Sequence, residues 1–124
     1  MLFRSLRIFW KDCELNYLGC NDVFARDAGF DHSHEIIGKN DFVMGWREQA
    51  ELYRRDDFRI MQSGEATIGY EEPQTTPEGK QIWLRTSKVP LKDPLSKETI
   101  GILGIYDDIS IDRKSTRLNS SHRL

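Results

Sequence analysis

Cysteine and histidine are scarce in this chain, two and three respectively in 124 residues. Cys13 and Cys20 have no CxxC spacing and no partner cluster, which fits reduced thiols in a cytosolic protein better than a disulfide framework. No run of about 18 apolar residues occurs, so no membrane span is expected. The N-terminus also lacks the basic, apolar and small-residue regions of a signal peptide. Neither charge dominates: 18 basic and 20 acidic residues are interspersed for a net charge of -2. With no basic patch, contact with nucleic acid or an anionic membrane is not expected. No nucleophile elbow, phosphate loop or metal-binding helix motif surrounds any Ser or His.

What is present describes one ordinary folded domain with a cytoplasmic setting as the default. Hydrophobic residues make up 38%, charged residues 31% and aromatics 10%, enough to build a single core at this length. Arg7 to Asp12 and Asn16 to Cys20 read as two short strands of a hairpin. Asn21 caps a short helix carrying Val23, Phe24 and Ala28, and Gly29 stops it. An irregular connection from Phe30 to Phe42 holds at most one helical turn. The strongest helix is expected from Trp46 to Ser63, ending at Gly64, with Trp46, Ala50, Tyr53, Ile60 and Met61 inward. Three β-rich stretches follow, at Ala66–Tyr70, Gln81–Val89 and Thr99–Tyr106, joined by segments that contain the four prolines. Consecutive strands pair as antiparallel neighbours, so the plan is α+β and not a doubly wound parallel sheet.

In this order the segments resemble the PAS family of sensory domains. Phe9-Trp10-Lys11-Asp12, Tyr17-Leu18-Gly19-Cys20-Asn21 and Phe24 look like its opening hairpin and first helix. Glu35-Ile36-Ile37-Gly38-Lys39 is similar to the segment before its long helix, and Gly79-Lys80-Gln81-Ile82-Trp83-Leu84 to a strand entry. Val89-Pro90-Leu91 and Ile100 to Ile105 resemble the closing strands. Asp107-Asp108-Ile109-Ser110 resembles the exit motif, with Ser110 where the family usually has threonine. The resemblance covers about residues 8 to 114 and implies a PAS fold: a five-stranded antiparallel sheet in the order 2-1-5-4-3, helices packed on one face. It implies a signal-input module of a bacterial signalling protein that binds a small ligand or dimerises through PAS pairing, with a histidine kinase or diguanylate cyclase output domain in the parent chain. Asp108, Ile109 and Ser110 would be the signal exit, Asp108 pairing with Arg85 or Lys88. The domain is expected over 7–114. The flanking segments 1–5 and 115–124 resemble translated adapter read-through and are expected to be a non-native leader and tail, a short natural tail being the alternative.

Candidate sites are few. Asp31-His32-Ser33-His34-Glu35 gathers metal-ligand residue types, but two histidines at i and i+2 diverge and no distant ligand completes a set, so a polar turn and no metal is expected. Residues 46–63 contain no axial histidine for haem, and Gly38 to Phe42 lacks the reactive cysteine of the photoactive flavin subclass. Haem and covalent flavin are therefore disfavoured, and non-covalent flavin stays open. Adjacent acids such as Asp56-Asp57, Glu71-Glu72 and Asp107-Asp108 point apart, so no catalytic residue is assigned. A small cone-shaped α+β isomerase or hydratase and a ligand-free protein-interaction PAS domain are the alternatives. Asp57 lies by spacing on the apolar side of the long helix, with Ala50, Tyr53, Ile60 and Met61. Rotation of the helix could give it solvent or a loop amide. The sharper expectation is that it anchors the polar end of a small ligand, with Phe42, Trp46, Tyr53 and Tyr70 as the wall.

Overall fold

From Gln81 to Pro90 every second residue is buried, placing Ile82, Leu84, Thr86, Lys88 and Pro90 on one face of a strand. That period of two belongs to a sheet covered on one side only. The computed structural model describes residues 6–110. The expected leader 1–5, the tail 115–124 and the last four residues of the expected domain lie outside the described residues. The strands are β1 (Arg7–Asp12), β2 (Tyr17–Cys20), β3 (Thr67–Thr75), β4 (Gln81–Lys92) and β5 (Thr99–Asp108). Every pairing is antiparallel, and the order is β2-β1-β5-β4-β3, as the family resemblance implies.

Between β2 and β3 lie helix α1 (Asp22–Ala28), 3-10 turns at Ser33–Ile36, Asp41–Val43 and Arg47–Gln49, and helix α2 (Ala50–Ser63). Asn21 caps α1: its side-chain oxygen accepts from the N–H groups of Phe24 and Ile8, tying the helix start to β1. Gly29 ends α1 and Gly64 ends α2, each in the left-handed conformation that glycine adopts without steric cost. Aromatic rings fill the space between sheet and helices. Phe24 stands at the centre, with ring centroids 5.0 Å from Phe9, 5.4 Å from Tyr17, 5.2 Å from Trp46 and 5.9 Å from Tyr106.

Several boundaries differ from the sequence expectation: β4 runs on through Pro90 to Lys92, where a connection is expected, and β5 runs on to Asp108. The α-helix begins at Ala50, not Trp46, and a 3-10 turn precedes it. Trp46 is pinned through its indole N–H to Asp41, and no side chain caps the first turn, so the entry tightens. β3 runs on through Glu71 to Thr75, where a connection was expected. It is the sheet's edge strand, and Pro73 can sit there because an edge residue need not donate a ladder bond on its open side.

The β1–β5 pair depends on glycine at one close approach. Gly104 faces Phe9, and a Cβ built on it would lie 2.1 Å from the Phe9 ring. Gly104→Ala is therefore expected to cost about 1–3 kcal/mol by overpacking the core. A urea midpoint equal to that of the wild type would show that the ring moves aside freely.

Candidate functional site

Strand parity brings two lysines inward. Lys11 follows Phe9 at a spacing of two on β1, and Lys88 follows Leu84 and Thr86 on β4, so both ammonium groups enter the interior between the sheet and α2. A buried ammonium requires anionic partners. Lys11 Nζ donates to Asp41 Oδ2 at 2.7 Å and to Asp57 Oδ2 at 2.6 Å. Lys88 Nζ donates to the other oxygen, Asp57 Oδ1. Asp41 Oδ1 accepts from the Tyr17 hydroxyl and, at 2.9 Å, from Trp46 Nε1. Asp57 is 0% exposed, so rotation of the helix toward solvent does not occur; two strand lysines satisfy the carboxylate.

A fifth charged group completes this interior. Glu72 on β3 accepts from Thr86 Oγ1 at 2.9 Å. Burial pushes its carboxyl up; Lys88 and Thr86 oppose that shift, and Asp56 and Asp57 add to it. Burial also pushes Asp41 up, but Lys11, through its charge and its hydrogen bond, together with Trp46 and Tyr17, holds it below the usual carboxylate range. Lys88 is raised: burial lowers it, and the combined attraction of Asp57, Glu72 and Asp41 prevails. Beside these groups lies a cavity with about 20 Å³ open to the centre of a water molecule. That is room for about one water. Its polar wall is Lys11, Asp41, Glu72, Gln74, Thr86 and Lys88, and its aromatic wall includes Phe9, Trp46, Tyr53 and Tyr106.

Of the residues expected to form a pocket, Trp46 and Tyr53 line this cavity, and Asp57 stands behind it on Lys11 and Lys88. Phe42 does not. It is 47% exposed on the outer side of α2, under the Arg54 guanidinium, because the 3-10 turn that buries Asp41 points the next residue outward. Tyr70 is also absent from the lining, and its hydroxyl is buried without a protein hydrogen-bond partner. Lys11, Asp41, Glu72, Gln74, Thr86 and Lys88 were missed. The available signal was parity: each of the two lysines shares a strand face with apolar residues.

The exit segment also differs in its partners. Lys88 is committed to Asp57 on the helix side of the sheet. Arg85 sits opposite Asp107 and on the outer face of β4, whereas Asp108 is opposite Leu84. Asp108 Oδ1 accepts from the Ser110 N–H at 2.9 Å, and its charge acts on Arg7 of the neighbouring β1. Ile109 is buried and donates its N–H to the Trp83 carbonyl, while the Trp83 N–H donates to Ser110 Oγ. Arg7 and Tyr106 both donate to Asp27 of α1, so both ends of the described chain meet at one polar cluster.

His32 and His34 do not diverge as expected. Their rings stack with centroids 5.6 Å apart, because His32 is extended ahead of the 3-10 turn. Among the described residues no group of three or more His, Cys, Asp or Glu is placed to hold a metal ion. Nor is any helix among them long and apolar enough to cross a membrane.

A family model described as the PAS fold matches residues 6–114. No curated protein sequence matches. Among solved structures, the VqmA dimer of Vibrio cholerae has a TM-score of 0.72 at 19% identity, covering 81% of this chain and 45% of that one. The phage VqmA–DPO complex has 0.73 at 18%, covering 96% and 54%. The PAS domain of Bordetella pertussis BvgS has 0.65 at 23%, covering 93% and 88%. The chain spans about half the length of the VqmA chains, 51% in the DPO-bound form. One VqmA structure is a complex with ligand and DNA, and an RNA-binding light-oxygen-voltage receptor is also similar, so the fold occurs in nucleic-acid-binding proteins as well.

The charged interior makes two measurable demands. Asp57→Ala strands Lys88 and is expected to cost about 3–5 kcal/mol in urea unfolding, part of which returns in the Asp57→Ala/Lys88→Met double variant; no recovery would mean that the loss is one of packing. Because the Glu72 carboxyl is raised from an ordinary 4.5, its favourable contribution is present at low pH and is lost as pH rises through the raised value. Glu72→Gln should therefore gain stability relative to wild type from pH 4 to 8, and a constant difference across that range would contradict the assignment. The strand order 2-1-5-4-3 agrees with the family match over residues 6–114: the chain belongs to the PAS fold family of signal-sensing domains.

Proposed function

We propose that this domain is a non-enzymatic signal-input module whose interior cavity receives a polar ligand not much larger than a water molecule, and that Asp108, Ile109 and Ser110 carry the resulting change to an output domain. The observation that carries this reading is Lys88, an ammonium 3% exposed with one hydrogen-bond acceptor and the cavity in front of it. An ammonium has three donors, and an interior group with donors to spare favours a ligand that brings acceptors. Thr86 and Gln74 stand beside it to orient such a molecule. VqmA, solved bound to DPO, is an example of a protein of similar fold that holds a ligand. An isoalloxazine or haem does not fit this cavity without displacing its walls, so a colourless ligand is expected.

Signal transfer would follow from the way the exit is held. Ile109 and Ser110 are bonded to Trp83 on β4, the strand that carries Thr86 and Lys88. A shift of β4 upon occupancy would therefore reach the exit directly. The outer face of the sheet supports pairing of two copies: Trp10 and Val89 flank Leu103 across three strands, with Ile8 beside Ile105. The output would be a histidine kinase or diguanylate cyclase in the parent protein.

A second reading, a ligand-free interaction domain, is favoured by the small size of the cavity. Native mass spectrometry with an absorption spectrum separates the two. The ligand reading expects a retained small mass or, after addition of small polar molecules, a bound mass that Thr86→Leu abolishes while the dimer persists. A dimer that takes up no ligand across that set supports the interaction reading instead.

A further inference from the structure

On the side of α2 away from the sheet, Phe42 and Phe58 are 47% and 43% exposed and line one shallow, open groove. Large aromatic residues left open side by side mark a contact surface more often than an ordinary one. The rest of the lining is strongly of one sign: Arg54, Arg55 and Arg59 against Glu51. Arg54 lies with its guanidinium 5.1 Å from the centre of the Phe42 ring, within cation–π range. Arg59 has only a long, exposed contact of 3.7 Å to Asp56, so its charge is available. None of these residues serves the interior cavity or the exit segment.

We propose that this groove docks an acidic amphipathic helix of a partner protein. Arg55 and Arg59 are four residues apart on α2, about 6 Å along the axis. Carboxylates at the same spacing on a second helix would face them, and bidentate pairing suits arginine. One leucine or isoleucine of that helix would sit between Phe42 and Phe58, as apolar anchors do in helix-in-groove recognition. A membrane surface is disfavoured because Glu51 lies within the patch, beside the arginines.

The probe is a synthetic helix of repeating Glu-Leu-Leu-Glu, titrated into the full chain and followed by amide NMR shifts. Shifts confined to residues 42–43 and 51–62 are expected. The Arg55→Glu/Arg59→Glu double variant should weaken binding at least tenfold, and Phe58→Ala at least fivefold, with unchanged melting temperatures. Trp10→Glu, on the outer face of the sheet, should leave binding unaltered. A matched Lys-Leu-Leu-Lys peptide binding equally well, shifts elsewhere, or no shifts would overturn the proposal. So would binding to anionic phosphatidylglycerol vesicles without binding to the acidic peptide, since that assigns the groove to membranes. Loss of the interior ligand has no bearing on these outcomes, so the two readings fail separately.

Discussion

Asp57 is the interaction on which the rest of this domain turns. It is fully buried in α2, and its two oxygens are held by lysines from β1 and β4, 46 and 31 residues away in sequence. Lys11 extends the chain of charge to Asp41, and Asp41 gathers Tyr17 and Trp46. One ionic network therefore sets the position of α2 over the sheet, the entry to α2 and the β1–β2 hairpin together. Apolar contacts are non-directional, whereas each charge of this network is bound to named partners on the sheet and the helix.

The same constraint gives the cavity its character. Three carboxylates and two ammonium groups share the interior, an excess of one negative charge if all are ionised. Glu72 is the member whose compensation is weakest, which is why burial raises its carboxyl despite Lys88. In such a setting a change of one charge or one hydrogen bond is felt by every partner, since the low-dielectric interior screens little. β4 transmits that change by geometry alone: it carries Lys88 and Thr86 at one point and Trp83, which holds the exit, at another.

Sensing and docking are separated by the two sides of α2. Its inward face presents Tyr53, Asp57, Ile60 and Met61 to the sheet, and its outward face presents arginines and Phe58. The helix ends freely in neither direction, with a 3-10 turn before it and Gly64 after it. A shift of α2 imposed by the interior cluster would carry Phe58 and the arginines with it, since all lie on the same helix.

Alternation and turn chemistry were legible from residues alone. The hairpin at Arg7–Asp12 and Tyr17–Cys20, the caps at Asn21, Gly29 and Gly64, the apolar stripe of α2 and the three closing strands all follow from local periods of 2 and 3.6. Spacing alone placed Asp57 among apolar neighbours but left open whether it reached solvent. Tertiary structure decided what satisfies it. Sequence offered Lys88 as a partner for Asp108 and gave Lys11 no interior role, and only the antiparallel order β1-β5-β4 brings their inward positions to the same carboxylate. Phe42 reads as a pocket wall and lies outside, because a single 3-10 turn reverses neighbouring side chains: Asp41 inward, Phe42 outward. Local sequence sets the period of each element. Which charges meet is set by sheet order and registration, which arise only when segments distant in the chain are packed together.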